Sequence, residues 1–237
     1  MKTLPILAAS GPCPAELGDL HGRRFRSLRI SLTPACNFAC VYCRPADHRT
    51  FEHGSDLLSL EEIARTVRVA ASLGFRKVRL TGGEPLVRPR IAEFVAEISA
   101  VPGIRQIALT TNGSLLRRHA ERLRNAGLHR VNVSLDSLER QTAAKLAGGD
   151  VLEQVLDGLQ AAADVDLPVK LNVVPIRGVN DHEALDLVAF GAERGWEVRF
   201  IEYMPMGRVA AALGAGRGLP SATVPTRELR ERLSARF

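Results

Sequence analysis

Leu28-Arg29-Ile30-Ser31-Leu32-Thr33 runs directly into Pro34-Ala35-Cys36-Asn37-Phe38-Ala39-Cys40-Val41-Tyr42-Cys43. Apolar and polar residues alternate over the first six positions, as on a β-strand, and the strand delivers the chain into a cysteine-rich loop. The next periodic segment, Ile63/Val67/Ala70/Ala71, has helical spacing. The same strand-then-helix unit recurs along the chain. Strands are expected at Leu28–Thr33, Val78–Thr81, Gln106–Thr111, Arg130–Leu135, Val169–Val174 and Val198–Glu202. Between them, Ile91/Phe94/Val95/Ile98, Leu152/Val155/Leu156/Leu159 and Leu185/Val188/Ala192 lie at 3.6-residue spacing. Ser59-x-x-Glu62 and Asn180-x-x-Glu183 have the form of helix N-terminal caps. Alternating strands and helices imply an α/β fold with a parallel sheet and right-handed crossovers. Periodicity leaves two forms open, a doubly wound sheet and a six-stranded partial barrel.

The cysteines carry the first chemical signal. Cys36, Cys40 and Cys43 fall within eight residues, and Cys13 is the only other one. A secreted disulfide framework would spread an even set along the chain. Spacings of four and three instead place three thiols on one face of a local turn. Three converging thiolates suit a soft metal, either zinc or an iron–sulfur cluster. Structural zinc takes four closed ligands, and His48 would be the fourth. A [4Fe–4S] cluster on three cysteines keeps one iron open to another ligand.

In both parallel architectures, functional residues gather at the C-terminal ends of the strands. Those ends carry Thr33-Pro34-Ala35-Cys36, Gly82-Gly83-Glu84-Pro85, Thr111-Asn112-Gly113, Ser134-Leu135-Asp136-Ser137 and Glu202-Tyr203-Met204-Pro205. Singly, each reads as turn or cap chemistry. Together, around a three-thiol loop, they read as a site.

Residues 1–27 read as an N-terminal arm. Its apolar stretch Leu4–Ala9 contains Pro5 and is shorter than the roughly 7–15 residues of a secretory core, so the expectation is a cytoplasmic protein. Residues 28–206 form the core, and 207–237 a Gly/Ala/Pro-rich linker followed by a short basic helix at Thr226–Arg236. Arg23-Arg24-Phe25-Arg26 reads as a solvated turn and Trp196 as a packing residue. No apolar run approaches the roughly 20 residues of a membrane helix, which excludes a helical span. Lys and Arg number 32 against 26 Asp and Glu, a net charge of +6 compatible with an anionic substrate. With 8 Phe, 2 Tyr and 1 Trp, a base-stacking platform for nucleic acid is not expected.

The run Cys36-x-x-x-Cys40-x-Tyr42-Cys43, followed by Gly82-Gly83-Glu84-Pro85, resembles the cluster loop and glycine motif of the radical S-adenosylmethionine (SAM) superfamily. Within it, residues 22–206 are most similar to the GTP 3′,8-cyclases of molybdenum-cofactor biosynthesis. The similarity is carried by Arg79-Leu80-Thr81-Gly82-Gly83-Glu84-Pro85-Leu86, Leu109-Thr110-Thr111-Asn112-Gly113, Val133-Ser134-Leu135-Asp136-Ser137, Lys170-Leu171-Asn172, Arg177-Gly178-Val179-Asn180-Asp181 and Val198–Gly207. The resemblance implies a partial (β/α)6 barrel of the TIM type. It implies that Cys36, Cys40 and Cys43 ligate a [4Fe–4S] cluster whose fourth iron is chelated by SAM. Tyr42, Gly83, Ser134 and Met204 would contact SAM, with Glu84 near its ammonium group. Arg29, Arg79, Thr110 and Lys170 would hold GTP, and Arg29, Arg79 and Lys170 would serve catalysis. The implied reaction is that of a lyase: a 5′-deoxyadenosyl radical removes hydrogen from C3′, C3′ bonds to C8, and reduction yields 3′,8-cyclo-7,8-dihydro-GTP. A flavodoxin- or ferredoxin-like electron donor and a homodimer would accompany it.

Three features depart from that family. Pro34-Ala35 stand where it has Asp-Arg, and Arg44 where it has Met. Its C-terminal extension brings three cysteines for a second cluster, whereas this sequence ends at Phe237 with no cysteine after Cys43. The sequence therefore reads as truncated relative to the family. The alternatives are an inactive cyclase fragment, a radical SAM paralogue with another substrate, and a non-catalytic zinc protein.

Overall fold

A computed structural model describes residues 17–43, 57–204 and 222–237. Cys13, His48, Pro205 and residues 207–221 of the expected linker lie outside the described residues. All six expected strands form, with bounds shifted by at most two residues: β1 (Ser27–Ser31), β2 (Lys77–Thr81), β3 (Gln106–Thr111), β4 (Arg130–Ser134), β5 (Val169–Val173) and β6 (Glu197–Phe200). The helices are α1 (Leu60–Ser72), α2 (Ile91–Ser99), α3 (Leu116–Asn125), α4 (Arg140–Ala147), α5 (Leu152–Asp164), α6 (Ala184–Ala192) and α7 (Thr226–Ser234).

Every strand pairs parallel with its sequence neighbour, giving the order β1-β2-β3-β4-β5-β6. That order decides between the two architectures. A doubly wound sheet reverses direction at a switch point and carries helices on both faces. A sheet wound in one direction with right-handed crossovers keeps its helices on one face and curls towards a barrel. Val78, Leu80, Ile107, Leu109, Val131, Val133, Leu171 and Val173 share one core with the helix residues Ile63, Val67, Phe94, Val95, Ile98, Leu123, Val155 and Leu159. The alternate strand residues face the other side, the inner face. β1 and β6 are its two edges, so the barrel is partial.

The capping box forms as expected. Ser59 Oγ accepts from Glu62 N at 3.1 Å and Glu62 Oε2 accepts from Ser59 N at 2.7 Å. Asn180-x-x-Glu183 does not cap a helix. Asn180 Nδ2 donates to Asp136 O and Val174 O, while its Oδ1 accepts from Ile176 N. Glu183 accepts from Ser137 Oγ, Leu138 N and Glu139 N. Both side chains tie the loop after β4 to the loop after β5, a long-range use that local spacing does not encode.

The buried positions of α6 are Ala184, Leu187 and Gly191, not the expected Leu185/Val188/Ala192. Gly191 supplies the reason: a Cβ there would lie 2.4 Å from Val198 Cγ2, so the closest approach to β6 is made by the residue without a side chain. Residues 17–26 of the expected arm form a turn, with Gly18 and Arg24 bridged antiparallel and Leu17 N donating to Leu73 O at 2.9 Å. α7 packs through Leu229, with Val224, against Ala184 of α6. Trp196 is half-buried and stacks edge-on with Phe190 at 6.0 Å.

Candidate active site

β1 ends by crossing the Gly-Gly turn of β2, and this crossing places the cysteine loop. Gly83 N donates to Thr33 O and Glu84 N to Ala35 O, both at 2.7 Å. A Cβ on Gly83 would lie 2.3 Å from Ala35 O, so only glycine lets these two backbones meet. Beyond that crossing the loop docks on the C-terminal end of α4, where Ala39 N donates to Ala147 O and Val41 N to Leu146 O.

Cys36, Cys40 and Cys43 line a cavity of about 240 Å³ together with Tyr42, Thr81, Gly83, Thr110, Asn112 and Ser134. Phe38, Leu135 and Leu146 give it apolar walls. Thus the expected cofactor residues Tyr42, Gly83 and Ser134, the expected substrate residue Thr110 and the three cysteines converge on one space. Met204 does not line it. Met204 is exposed on an adjoining opening that shares Tyr42 and Cys43 with the cavity. Glu84 is not on the wall either. It is fully buried, with its carboxylate accepting from Leu86 N, Thr111 Oγ1 and Asn112 N at 3.0, 2.8 and 2.7 Å. Burial raises its pKa against the pull of those three donors. Glu84 therefore joins the ends of β2 and β3 beneath the site.

None of the three cysteines is in a disulfide. Cys36 Sγ accepts from Phe38 N at 3.4 Å and from Asn112 Nδ2 at 3.9 Å. Burial, then the charges of Asp136, Cys36 and Cys43, push the Cys40 thiol up to about 12. A thiolate in that position needs a cation beside it, and three soft sulfur donors with N–H groups aimed at one of them fit an iron–sulfur cluster.

Two features of the site have no local sequence signal. Tyr42 Oη donates to Asp136 Oδ2 at 2.5 Å, and Asp136 Oδ1 accepts from Val174 N at 2.7 Å. Burial raises Asp136 to about 6 despite those two donors. Below the cavity, the inner face is cationic. One register row reads Arg29, Arg79, Ala108, Arg130 across β1 to β4. Thr110, Asn132, Lys170 and Glu197 form a second row across β3 to β6. Lys170 and Arg199 both pair with Glu197. Arg79 is depressed by burial and by Arg29, Arg130 and Arg199. Arg29, Arg79 and Lys170 thus lie on the inner face beneath the cysteine cavity, not in its wall. Alternation with Asn132 and Ser134 was the signal that could have placed Arg130 on this face.

The sequence model of the radical SAM superfamily matches residues 30–191. The chain belongs to the radical SAM superfamily. A solved structure shares the fold: SuiB of Streptococcus suis, solved bound to S-adenosylmethionine, superposes with a TM-score of 0.69 at 18% identity, covering 89% of this chain and 47% of that one. Among curated relatives, the GTP 3′,8-cyclase of Geobacter sulfurreducens is 46% identical over 94% of this chain and 66% of its own length. That of Pelotomaculum thermopropionicum is 48% identical over 87% of this chain and 63% of its own. The chain spans just under two thirds of the length of the curated relatives it matches. Radical SAM membership brings SAM and an iron–sulfur cluster as the cofactors, and the three-cysteine cavity is the place with the chemistry to receive them. No helix among the described residues is long and apolar enough to cross a membrane.

Proposed function

We propose that this chain carries the SAM-cleaving and triphosphate-binding part of a GTP 3′,8-cyclase, in which GTP loses the C3′ hydrogen and closes a bond from C3′ to C8. The observation that carries the reading is the placement of the cysteine loop and of Gly83, Thr110 and Ser134 around one cavity, directly above an inner face of cations. The 43–48% identity to cyclases supports GTP over other substrates.

Cys36, Cys40 and Cys43 would ligate a [4Fe–4S] cluster with one iron left to SAM. Bound together, the cluster and SAM supply a 5′-deoxyadenosyl radical by one-electron cleavage of SAM. The chain's own residues position the reactants. The backbone at Gly83, Ser134 and the Tyr42 loop form the SAM side, with Met204 at its adjoining opening. Glu84 acts beneath it by holding Thr111 and Asn112 in place. Arg29 and Arg79 meet phosphates as planar forks, Lys170 as a point charge exchanged from Glu197, and Thr110 offers a hydroxyl between them. The apolar walls at Phe38, Leu135 and Leu146 exclude water from a reactive intermediate. A small flavoprotein or ferredoxin would deliver the electron, in a cytoplasmic setting, to a homodimer.

Anaerobic reconstitution with iron and sulfide tests this. About four irons per chain, as one cubane cluster requires, and 5′-deoxyadenosine formation stimulated by GTP after SAM and dithionite are added, are the expected results. Four irons with GTP-independent cleavage would overturn GTP as the substrate. Zinc or no metal would overturn the radical reading.

A further inference from the structure

The three arginines of the lower inner row have no counter-ion among the described residues. Among the described residues, no ion pair or hydrogen bond engages the side chain of Arg29, Arg79 or Arg130, and Arg130 Nε is buried without a partner. Above that row, by contrast, Lys170 and Arg199 share Glu197. Between Arg79 and Arg130 stands the short side chain of Ala108, which leaves a small cavity of about 30 Å³ lined also by Ser27, Lys77 and Gln106. No acidic residue lines it. Arg79 and Arg130 are half-buried and Arg29 is exposed at the sheet edge; guanidiniums gathered in this way repel one another, and burial, then Arg29, Arg130 and Arg199, depresses Arg79. A ligand that brings negative charge removes the cost.

Position says which part of a ligand reaches them. The floor of the cysteine cavity stands at Thr81, Thr110 and Ser134. Arg79 lies two residues below Thr81, and Arg130 four below Ser134. At about 3.3 Å per residue those steps are roughly 7 and 13 Å along their strands. Arg79 and Arg130 thus share the lowest inward row of cations beneath the cavity, and of that row's ends Arg130 is half-buried inside the sheet while Arg29 is exposed on its edge strand. Asn132, the intervening inward residue of β4, directs its Nδ2 at Leu109 O and Thr110 Oγ1 and leaves an acceptor, Oδ1, which cannot serve a phosphate. The anion on β4 therefore falls to Arg130.

We propose that Arg130 is a substrate-binding residue that grips the terminal phosphate of the nucleoside triphosphate, so that the chain selects triphosphates over diphosphates. The proposal rests on the GTP reading above and adds to it the residue that sets phosphate number. Arg130 contributes a planar two-pronged donor, Arg79 faces the same phosphate from across Ala108, and the middle phosphate is left to Arg29 and Lys170.

Calorimetric titration of the anaerobically reconstituted 237-residue chain with GTP, GDP and inorganic tripolyphosphate tests it. In the unsubstituted chain GTP should bind roughly tenfold more tightly than GDP, the worth of one charged bidentate contact. Arg130→Gln should bring that ratio to about one by weakening GTP while GDP is held as before. Arg130→Lys, which keeps the charge and loses the fork, should give an intermediate ratio and serves as the readout if Arg130→Gln does not fold. Arg118→Gln, on the exposed face of α3, should keep the full ratio. An unchanged ratio in both Arg130 variants, or equal loss of GTP and GDP, overturns the proposal. If GTP binds no better than tripolyphosphate, the guanosine reading fails. Loss of tripolyphosphate binding in Arg130→Gln would still establish the phosphate contact. If the unsubstituted chain binds neither GTP nor tripolyphosphate, the proposal is overturned.

Discussion

Tyr42, one residue before the last cysteine, donates its phenolic proton to Asp136, 94 residues away at the end of β4. Asp136 in turn accepts from Val174 N at the end of β5, and its carbonyl accepts from Asn180 Nδ2. One half-buried carboxylate thus fastens the cysteine loop to two strand ends.

Removing the hydroxyl leaves that half-buried carboxylate short of a donor. Tyr42→Phe should lower unfolding stability by about 1–3 kcal/mol. It should also reduce the iron retained per chain after gel filtration. Urea unfolding and an iron assay check it, and unchanged values in both would show that the bond contributes nothing.

The crossing of β1 and β2 is steric. Gly83→Ala places a methyl 2.3 Å from Ala35 O, and one backbone must move. The expected outcome is a loss of about 2 kcal/mol or more, or insoluble protein, together with loss of SAM binding. Gly149→Ala, where nothing lies within 4 Å, should be tolerated. Equal behaviour of the two variants would remove the steric account.

Glu84 accepts three hydrogen bonds with no exposure. Glu84→Gln turns one acceptor oxygen into a donor facing another donor. About 2–4 kcal/mol of stability should be lost whether or not SAM is present. A variant of normal stability that fails only in SAM binding would instead give Glu84 a direct role with the ligand.

His119, half-buried on α3, is held below its ordinary value of 6.5 by burial and by Arg122 and Arg118. In the fold the ring stays neutral at a pH where the unfolded chain takes up a proton. Its contribution is therefore complete above the unfolded value and declines as pH falls through 6.5 towards the lower folded value. Urea midpoints at about pH 7.5 and 5.5 should differ more for the unsubstituted chain than for His119→Gln. Parallel declines in the two proteins would assign the effect elsewhere.

What could be read from the sequence was local. Strand alternation located Gln106–Thr111 to the residue, and the spacing of Ser59 and Glu62 found a capping box. The three cysteines and the Gly82-Gly83 turn marked the site because their chemistry is unusual at any position. What could not be read depends on distance in the fold. The face of α6 was displaced because Gly191 contributes contact through having no side chain. Asn180 and Glu183 imitate a cap while serving the loop after β4. Glu84 has the charge to meet an ammonium group, and two of its three donors, Thr111 Oγ1 and Asn112 N, become visible only once β2 and β3 stand side by side. The row formed by Arg29, Arg79 and Arg130 exists only through register.

Because each strand pairs with the one before it, the sheet can be assembled in the order in which the ribosome releases it. The cysteine loop leaves early, but its moorings at Asp136, Leu146 and Ala147 come about a hundred residues later. At roughly 5–20 residues per second, the 94 residues between Tyr42 and Asp136 take about 5 to 20 seconds to synthesise. Until then the loop is held only at its start, by Gly83, Glu84 and Asn112, and the thiols of Cys40 and Cys43 trail without their later moorings. Oxidants and stray metals therefore have their best access before the protein is finished, and iron–sulfur delivery belongs after α4 has emerged.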